Sequence, residues 1–167
     1  MIHNNIFKLF LILPFILYSY LSFSQETCSY FNLNDTIVKK GDIYFTTKIK
    51  FAPFYECAFD TNHITDIQTE LKRIADFLLE HSNIKVEIGV FMGIKIDPNY
   101  SYTFECLPDL LIKELIKLGV EENRILGVNY KDDAPIVDFE LIAYLSEREQ
   151  KCAYSINKRI EVKILDL

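Results

Sequence analysis

Four cysteines are the residues of this sequence with the clearest chemical potential: Cys28, Cys57, Cys106 and Cys152. Thiols form disulfides or bind metal ions, and the spacing between them separates these two uses. Consecutive cysteines are 29, 49 and 46 residues apart here, so none forms the closely spaced pair of a zinc knuckle. The spacing therefore predicts no metal site, and it leaves two disulfides, one disulfide or four free thiols as alternatives.

The other residue types that could do chemistry show no catalytic arrangement. His63 and His81 are 18 residues apart. On a helix this separation is roughly 27 Å, which is too far for one metal ion. No candidate nucleophile has a histidine base at a recognisable spacing, and the glycines do not cluster into a phosphate-binding loop. The sequence thus predicts neither an enzyme nor a protein with a cofactor.

Residues 1–24 have the composition of a secretory signal peptide. Lys8 supplies a sparse positive region, residues 9–21 are almost wholly apolar, and small residues precede a predicted cleavage at Gln25. The alternative is a membrane anchor, but an apolar stretch this short falls below the roughly 20 residues that a span needs. We therefore expect an exported chain without a membrane span after cleavage, for which an even number of cysteines favours disulfides.

The charge of the chain limits its partners. The formal net charge is −6 at pH 7, and loss of Lys8 with the signal peptide makes it more negative. An acidic chain without a basic cluster argues against nucleic acid and anionic membrane surfaces as partners. Residues 25–41 are polar and aperiodic, which indicates a leader segment. Residues 42–167 are then enough for a single domain with one hydrophobic core.

An amphipathic helix that leads directly into a strand lies at the centre of this domain. From residue 64 to 78, apolar residues recur at spacings of three and four, which predicts a helix with one buried stripe. Ser82 and Asn83 break the pattern, and the period then falls to two. Alternation over 84–90 predicts a strand with one buried face. Both elements need the same core, which is typical of a layered fold of helices and strands.

The rest of the domain repeats this alternation. Further strands are predicted over 42–51, 125–130 and 159–165. Pro108 and Gly119 bracket a second helix. Residues 139–150 are compatible with a third helix that packs Leu141, Ile142 and Leu145 inward, and 151–156 are predicted to form a loop. The order β-α-β-α-β-(α)-β predicts an α+β fold with a mixed four-stranded sheet and its helices packed on one face.

In this order, residues 42–167 resemble the OmpA-like domain, the cell-wall-anchoring module of bacterial envelope proteins. Three segments carry the resemblance: LKRIADFLLEHSNIKVEIGV at 71–90, LIKELIKLGVEENRI at 111–125 and NKRIEVKIL at 157–165. Such domains bind the diaminopimelate-type stem peptide of peptidoglycan and do no chemistry on it. The resemblance implies a non-enzymatic module of the periplasm or outer membrane, with peptidoglycan or another envelope protein as its partner.

The resemblance also implies where a ligand would bind. Family members hold the ligand's ammonium with an Asp in a Thr-Asp segment after the second strand, and its carboxylate with an Arg-Arg-Ala run that opens the second helix. These positions align with Met92 and Gly93, and with Cys106, Leu107 and Pro108. Both charges are absent, and each hydrogen bond to a charged group contributes on the order of 1.5–3 kcal/mol. We expect weak or altered wall binding, or a structural component that retains only the scaffold.

Several polar residues remain near the implied site: Asp97, Tyr100, Ser101, Asn157, Lys158 and Arg159. Asn157 and Arg159 could contact a peptide, although we favour a turn cap for the first and a structural ion pair for the second. Asp97 could replace the lost carboxylate, although an Asp-Pro turn is favoured.

The cysteines gain a predicted pairing from the resemblance. The family places the regions of Cys106 and Cys152 at the same end of the sheet, which implies a disulfide between them. A Cys28–Cys57 disulfide would then connect the leader to the loop after the first strand.

Overall fold

The computed structural model describes residues 32–52, 57–93 and 104–167. The predicted signal peptide and the candidate ligand residues Asp97, Tyr100 and Ser101 lie outside these ranges. Four strands form one sheet: β1 (Ile43–Thr46), β2 (Lys85–Met92), β3 (Ile125–Lys131) and β4 (Lys158–Asp166). The α-helices of the described ranges are α1 (Ile64–Glu80), α2 (Leu107–Lys117), α3 (Phe139–Ile142) and α4 (Glu147–Asn157).

The sheet has the strand order β1-β4-β2-β3. Strands β2 and β3 are parallel, with α2 between them in the chain, whereas β4 pairs antiparallel with both β2 and β1. The last strand of the chain therefore lies near the centre of the sheet, where both its edges are hydrogen-bonded. The predicted α+β class and the mixed four-stranded sheet are confirmed.

The core lies between one face of this sheet and helices α1 and α2. The alternating residues of β2 and β4 that were predicted to be inside are buried: Val86, Ile88, Val90, Ile160, Val162 and Ile164. The stripe of α1 is buried from Ile67 onward, while Ile64 is 39% exposed. Gly127 of β3 permits close packing of α2, since a Cβ there would lie 2.8 Å from Pro108 Cβ.

A buried charge cluster joins β1 to α1. The Glu70 carboxylate is fully enclosed, accepts a hydrogen bond from the Tyr44 hydroxyl, and pairs with Arg73 Nη1 at 3.0 Å and Lys48 Nζ at 3.5 Å. Burial alone would raise the pKa of Glu70, but the hydrogen bonds from Tyr44 and Thr46 and the two cations lower it. Burial and the bond to Glu70 raise the pKa of Tyr44 to about 12. The carboxylate is thus stabilised in its charged form.

The first strand is shorter than predicted. Regular pairing ends at Thr46, whose side chain accepts a hydrogen bond from Lys48 N. The chain then leaves the sheet and buries Ile49 and Phe51 in the core. Phe45, which was predicted on the same side as these two residues, is 41% exposed. The alternation of the sequence continues beyond the bend, so it could not locate the end of the strand.

The predictions of one helix over 139–150 and of a loop over 151–156 were wrong. Helix α3 ends at Ile142, and α4 runs from Glu147 to Asn157 through the segment that was predicted as a loop. A reciprocal capping box between Ser146 and Glu149 begins the new helix. Of the three residues predicted to pack inward, Ile142 is buried and Leu145 is half-buried, but Leu141 is 62% exposed.

Candidate functional site

The regions that the resemblance implicates meet at one end of the sheet. Met92, the last residue of β2, is opposite Lys158, the first residue of β4. The segment before α2 reaches the same end, because Asn129 near the end of β3 donates a side-chain hydrogen bond to Phe104 O at 2.6 Å. This end of the sheet is therefore the candidate site.

Gly93 directly follows β2, at the position that the resemblance aligns with the aspartate of family members. Its φ is +67°, and a Cβ built there would lie 2.3 Å from Lys158 N and 2.7 Å from Tyr154 O. Both neighbours are backbone atoms, so no side chain fits without moving the start of β4. Packed backbone therefore leaves no room for a side chain at residue 93.

Two residues that the resemblance aligns with the arginine run, Cys106 and Leu107, are engaged within the protein. Leu107 is 1% exposed and belongs to the core. Cys106 forms a disulfide with Cys57, with their Cα atoms 6.0 Å apart. The loop before α1 is therefore covalently connected to the start of α2 at the candidate site.

This disulfide corrects the predicted pairing. Cys57, and not Cys152, bonds to Cys106, which also rules out the Cys28–Cys57 disulfide. Cys152 is an exposed free thiol on α4, and Cys28 lies outside the described residues. The pairing depends on how the loop before α1 folds across the start of α2, which no local pattern in the sequence reports.

Asn157 and Arg159 are engaged within the protein. The Asn157 amide, 1% exposed, donates to Val137 O at 2.7 Å and accepts from Val137 N at 2.8 Å. Arg159, 5% exposed, lies 3.7 Å above the Phe91 ring and pairs through Nε with Glu161 Oε1 at 2.6 Å. Buried and satisfied in this way, the two side chains connect the start of β4 to its surroundings.

Lys158 has a different environment from these two neighbours. Its side chain is half-buried on the face that carries α1 and α2, because it follows the alternation of Ile160. Burial and the charge of Lys50 lower the pKa of Lys158, while Asp60 acts in the opposite direction. Within the described ranges, neither lysine ammonium has an ion-pair or hydrogen-bond partner.

The sequence did not connect Lys50 or Asp60 to this site. The Asp60 side chain accepts from Asn62 N at 3.0 Å and caps a short 3₁₀ helix at Thr61–His63, and its Oδ2 lies 3.9 Å from His63 Nε2. Asp60 N also donates to Lys50 O at 2.9 Å. The charges of Lys50 and Asp60 act on Lys158, and we call these three residues the lysine corner.

The described part of the chain contains neither a metal-binding cluster nor a membrane-spanning helix. No group of three or more His, Cys, Asp or Glu side chains there could hold a metal ion. Helices both long and apolar enough to cross a membrane are likewise absent from those residues.

Comparisons with known proteins give structural likeness without sequence likeness. No family model and no curated protein matches the sequence. The periplasmic domain of Helicobacter pylori MotB is 17% identical over 78% of this chain and 76% of its own, with a TM-score of 0.56. A putative MotB-like protein from Desulfovibrio vulgaris is 13% identical over 78% and 77%, with a TM-score of 0.54.

A third solved structure has a similar likeness. The peptidoglycan-associated lipoprotein from Burkholderia pseudomallei is 15% identical over 70% of this chain and 87% of its own, with a TM-score of 0.51. At these identities the comparisons show the fold alone. They confirm that the chain has the OmpA-like fold that its sequence resembles.

Proposed function

We propose that this protein is a non-enzymatic binding module of the bacterial cell envelope, in which the paired Asp and Arg of OmpA-like recognition are replaced. Residues 42–167 form the module, preceded by a signal peptide over 1–24 and a leader over 25–41. Its place is the periplasm or the outer membrane. The proposal is supported by the likeness to a periplasmic MotB domain and to a peptidoglycan-associated lipoprotein.

The contact of Gly93 with Lys158 carries the proposal that recognition is altered. A zwitterionic stem peptide needs one anchor of each sign. A Cβ at residue 93 would meet backbone at the start of β4, and Leu107 lies in the core at the start of α2. Without either charge, the affinity for the usual ligand falls by about two to four powers of ten.

Sedimentation with purified peptidoglycan tests this function. We expect retention on the wall that weakens as salt is raised, together with weak or undetectable capture of a soluble diaminopimelate-bearing stem peptide. A catalytically inert wall binder also leaves the peptidoglycan unchanged, which chromatography of the digested wall would check. Tight binding of the stem peptide would contradict the altered recognition, and a wall fragment released by the protein would contradict a non-enzymatic role.

A second candidate function, contact with another envelope protein, is favoured by one surface. Helix α3, the four residues that follow it and α4 expose apolar side chains: Leu141 by 62%, Tyr144 by 88% and Ile156 by 42%. Such a cluster is typical of an interaction surface. If it is the main contact, the protein stays in solution in the wall assay but is retained by an envelope protein, and a Leu141→Ser, Tyr144→Ser double variant loses that retention.

A further inference from the structure

We propose that a groove between the segment before β1 and helix α1 binds a short zwitterionic peptide, with Arg73 holding its carboxylate and Glu80 its ammonium. The inference goes beyond the proposed function, because it assigns a second site that does not depend on wall binding. The two sites lie at different ends of the sheet. Helix α1 ends at Glu80, just before β2 begins at Lys85, whereas the candidate site lies where β2 ends at Met92.

The groove has a volume of about 200 Å³ and lies between two ordered segments. One side is a turn closed by hydrogen bonds from Asn32 N to Asp35 Oδ2 and from Asp35 N to Asn32 O, both at 2.8 Å. The other side is a single stripe of α1. The lining residues are Leu33 and Asn34 on the turn, and Arg73, Asp76, Phe77 and Glu80 on the helix. The groove is therefore formed before any ligand binds.

Arg73 presents a cation in a fixed position at this groove. The fully enclosed Glu70 carboxylate pairs with Arg73 Nη1 at 3.0 Å, while the Arg73 side chain is 37% exposed. A guanidinium has five N–H donors in a planar fork, so donors remain beside the one that faces Glu70. A ligand carboxylate fits this fork. Because Glu70 already holds the side chain, little freedom is lost when the ligand binds.

Glu80 presents an anion that the described residues do not compensate. It is the last residue of α1, whose last turn has no basic residue, and a helix C-terminus carries a partial negative charge of its own. Asp76 lies one turn earlier and is already paired with Lys72 Nζ at 2.7 Å. Glu80 has no ion-pair or hydrogen-bond partner within the described ranges. A ligand ammonium would therefore form a charge-assisted hydrogen bond with Glu80 and offset an unfavourable charge.

The separation of the two charges selects the length of the ligand. Arg73 and Glu80 are roughly 10 Å apart along the helix axis. The charged groups of a free α-amino acid share one carbon, which is too short to reach both side chains. A dipeptide with free ends separates them by several bonds and fits a groove of about 200 Å³. Buried Leu33 and Phe77 line the groove and offer apolar contact to its side chains.

Titration of the full exported chain with alanyl-alanine tests the groove. The N-acetyl dipeptide lacks the ammonium and the dipeptide amide lacks the carboxylate, so each blocked form removes one charge. We expect saturable shifts of the Leu33 and Phe77 backbone resonances by NMR. The affinity should be about tenfold or more weaker for each blocked form than for the dipeptide.

Substitutions assign each ligand charge to its residue. Glu80→Gln should weaken binding of the dipeptide about tenfold and leave binding of the acetylated form unchanged, because that form has no ammonium. Arg73→Lys keeps a cation beside Glu70 but loses the fork, so it should weaken binding of the dipeptide and of the acetylated form and leave that of the amide unchanged. Glu114→Gln, which removes an acidic residue near the end of α2, leaves all three affinities unchanged.

The pattern across the probes separates binding from a loss of stability, because an unstable variant would weaken binding of all three probes alike. The absence of saturation with the dipeptide, or equal affinities for the dipeptide and its blocked forms, would overturn the site. Equal losses in Glu80→Gln and Glu114→Gln would do the same. A protein that sediments with peptidoglycan but does not bind the dipeptide would retain the proposed function and lack this second site.

Discussion

Two charged clusters on the helix-covered side of the sheet differ in how completely they are paired. Around Glu70, a fully enclosed carboxylate receives a hydroxyl and two cations. At the lysine corner, Lys50 and Lys158 are half-buried and neither has a direct partner among the described residues.

The difference shows which charges stabilise the folded protein. A paired buried charge stabilises only the arrangement that pairs it, so the Glu70 cluster is structural. An unpaired, desolvated charge raises the free energy of the folded protein unless something outside the chain offsets it. The charge of Lys158 should therefore cost stability, whereas the charge of Glu70 contributes it.

Substitution of Gly93 should give the largest loss in the free energy of unfolding, because backbone at the start of β4 packs directly against this glycine. We expect Gly93→Ala to destabilise the protein by about 3 kcal/mol or more, since it combines a left-handed φ with a clash against β4 backbone. Urea denaturation followed by circular dichroism measures the change.

Gly41 provides the matched control for this prediction. Its φ is +89°, but a Cβ there would meet nothing within 4 Å. Gly41→Ala should therefore cost only the backbone strain, about 1 kcal/mol. Equal losses in the two variants would show that Gly93 is needed only for its φ and that the site is not closed by packing.

Reduction of the Cys57–Cys106 disulfide should have the next largest effect. The bond closes a loop of 49 residues, and its loss should lower the free energy of unfolding by about 2–4 kcal/mol. Denaturation of Cys57→Ser, Cys106→Ser measures this cost without a reductant, and Cys152→Ser serves as the control because that thiol is free. A larger cost for Cys152→Ser would contradict the pairing.

Glu70→Gln removes the paired, buried carboxylate and should lower the free energy of unfolding by about 2 kcal/mol at neutral pH. Because the folded protein lowers the pKa of Glu70, the carboxylate stabilises it above the ordinary carboxyl pKa. That stabilisation is lost as the pH falls through the lowered value. The difference between wild type and Glu70→Gln should therefore shrink in acid.

Glu114 is a suitable control for the pH dependence of that difference. It pairs with Lys117 on the surface of α2 at 2.6 Å, and such surface pairs contribute about 0–1 kcal/mol. Glu114→Gln should therefore change the pH profile little. If both variants gave the same profile, the Glu70 cluster would be no stronger than a surface ion pair.

The sequence predicted the elements whose patterns are local and regular. The stripe of α1 and the alternation of β2 each extend over many residues, and both are buried as expected. Helix α4 was missed because it buries only Ala153 and Asn157, so it has no apolar stripe. Ser146 followed three residues later by Glu149 was the signal that could have found it.

The site was less predictable than the fold because it depends on pairing between distant segments. The resemblance aligns Gly93 with a charged residue of the family, but the close approach of Lys158 backbone to Gly93 is visible only in the folded protein. Lys50 and Asp60 lie before α1, and nothing in their spacing connects them with a lysine about a hundred residues later. The strand register between β2 and β4, which places Lys158 at this end, is a property of the folded sheet.

Lys158→Met should give the smallest change in the free energy of unfolding. The change should be a gain, whereas the other substitutions give losses. The variant removes a desolvated charge and keeps the aliphatic stem that lies opposite Met92, so we expect a gain of about 1 kcal/mol in the free energy of unfolding near neutral pH. The folded protein lowers the pKa of Lys158, so the charge costs stability below that pKa, and the cost disappears as the pH rises towards the pKa of an unfolded lysine. Wild type and variant should therefore converge in alkali, and Lys72→Met should show no such convergence.

The stability of Lys158→Met also shows whether Lys158 has a structural role. If Lys158 stabilises the fold, its replacement lowers the free energy of unfolding of the protein, as Glu70→Gln should. If Lys158 is not needed for folding, its replacement raises the free energy of unfolding, because the cost of burying an uncompensated charge is removed. A loss of stability in Lys158→Met would place this corner beside the Glu70 cluster as a structural feature, and the contrast between the two clusters would then disappear.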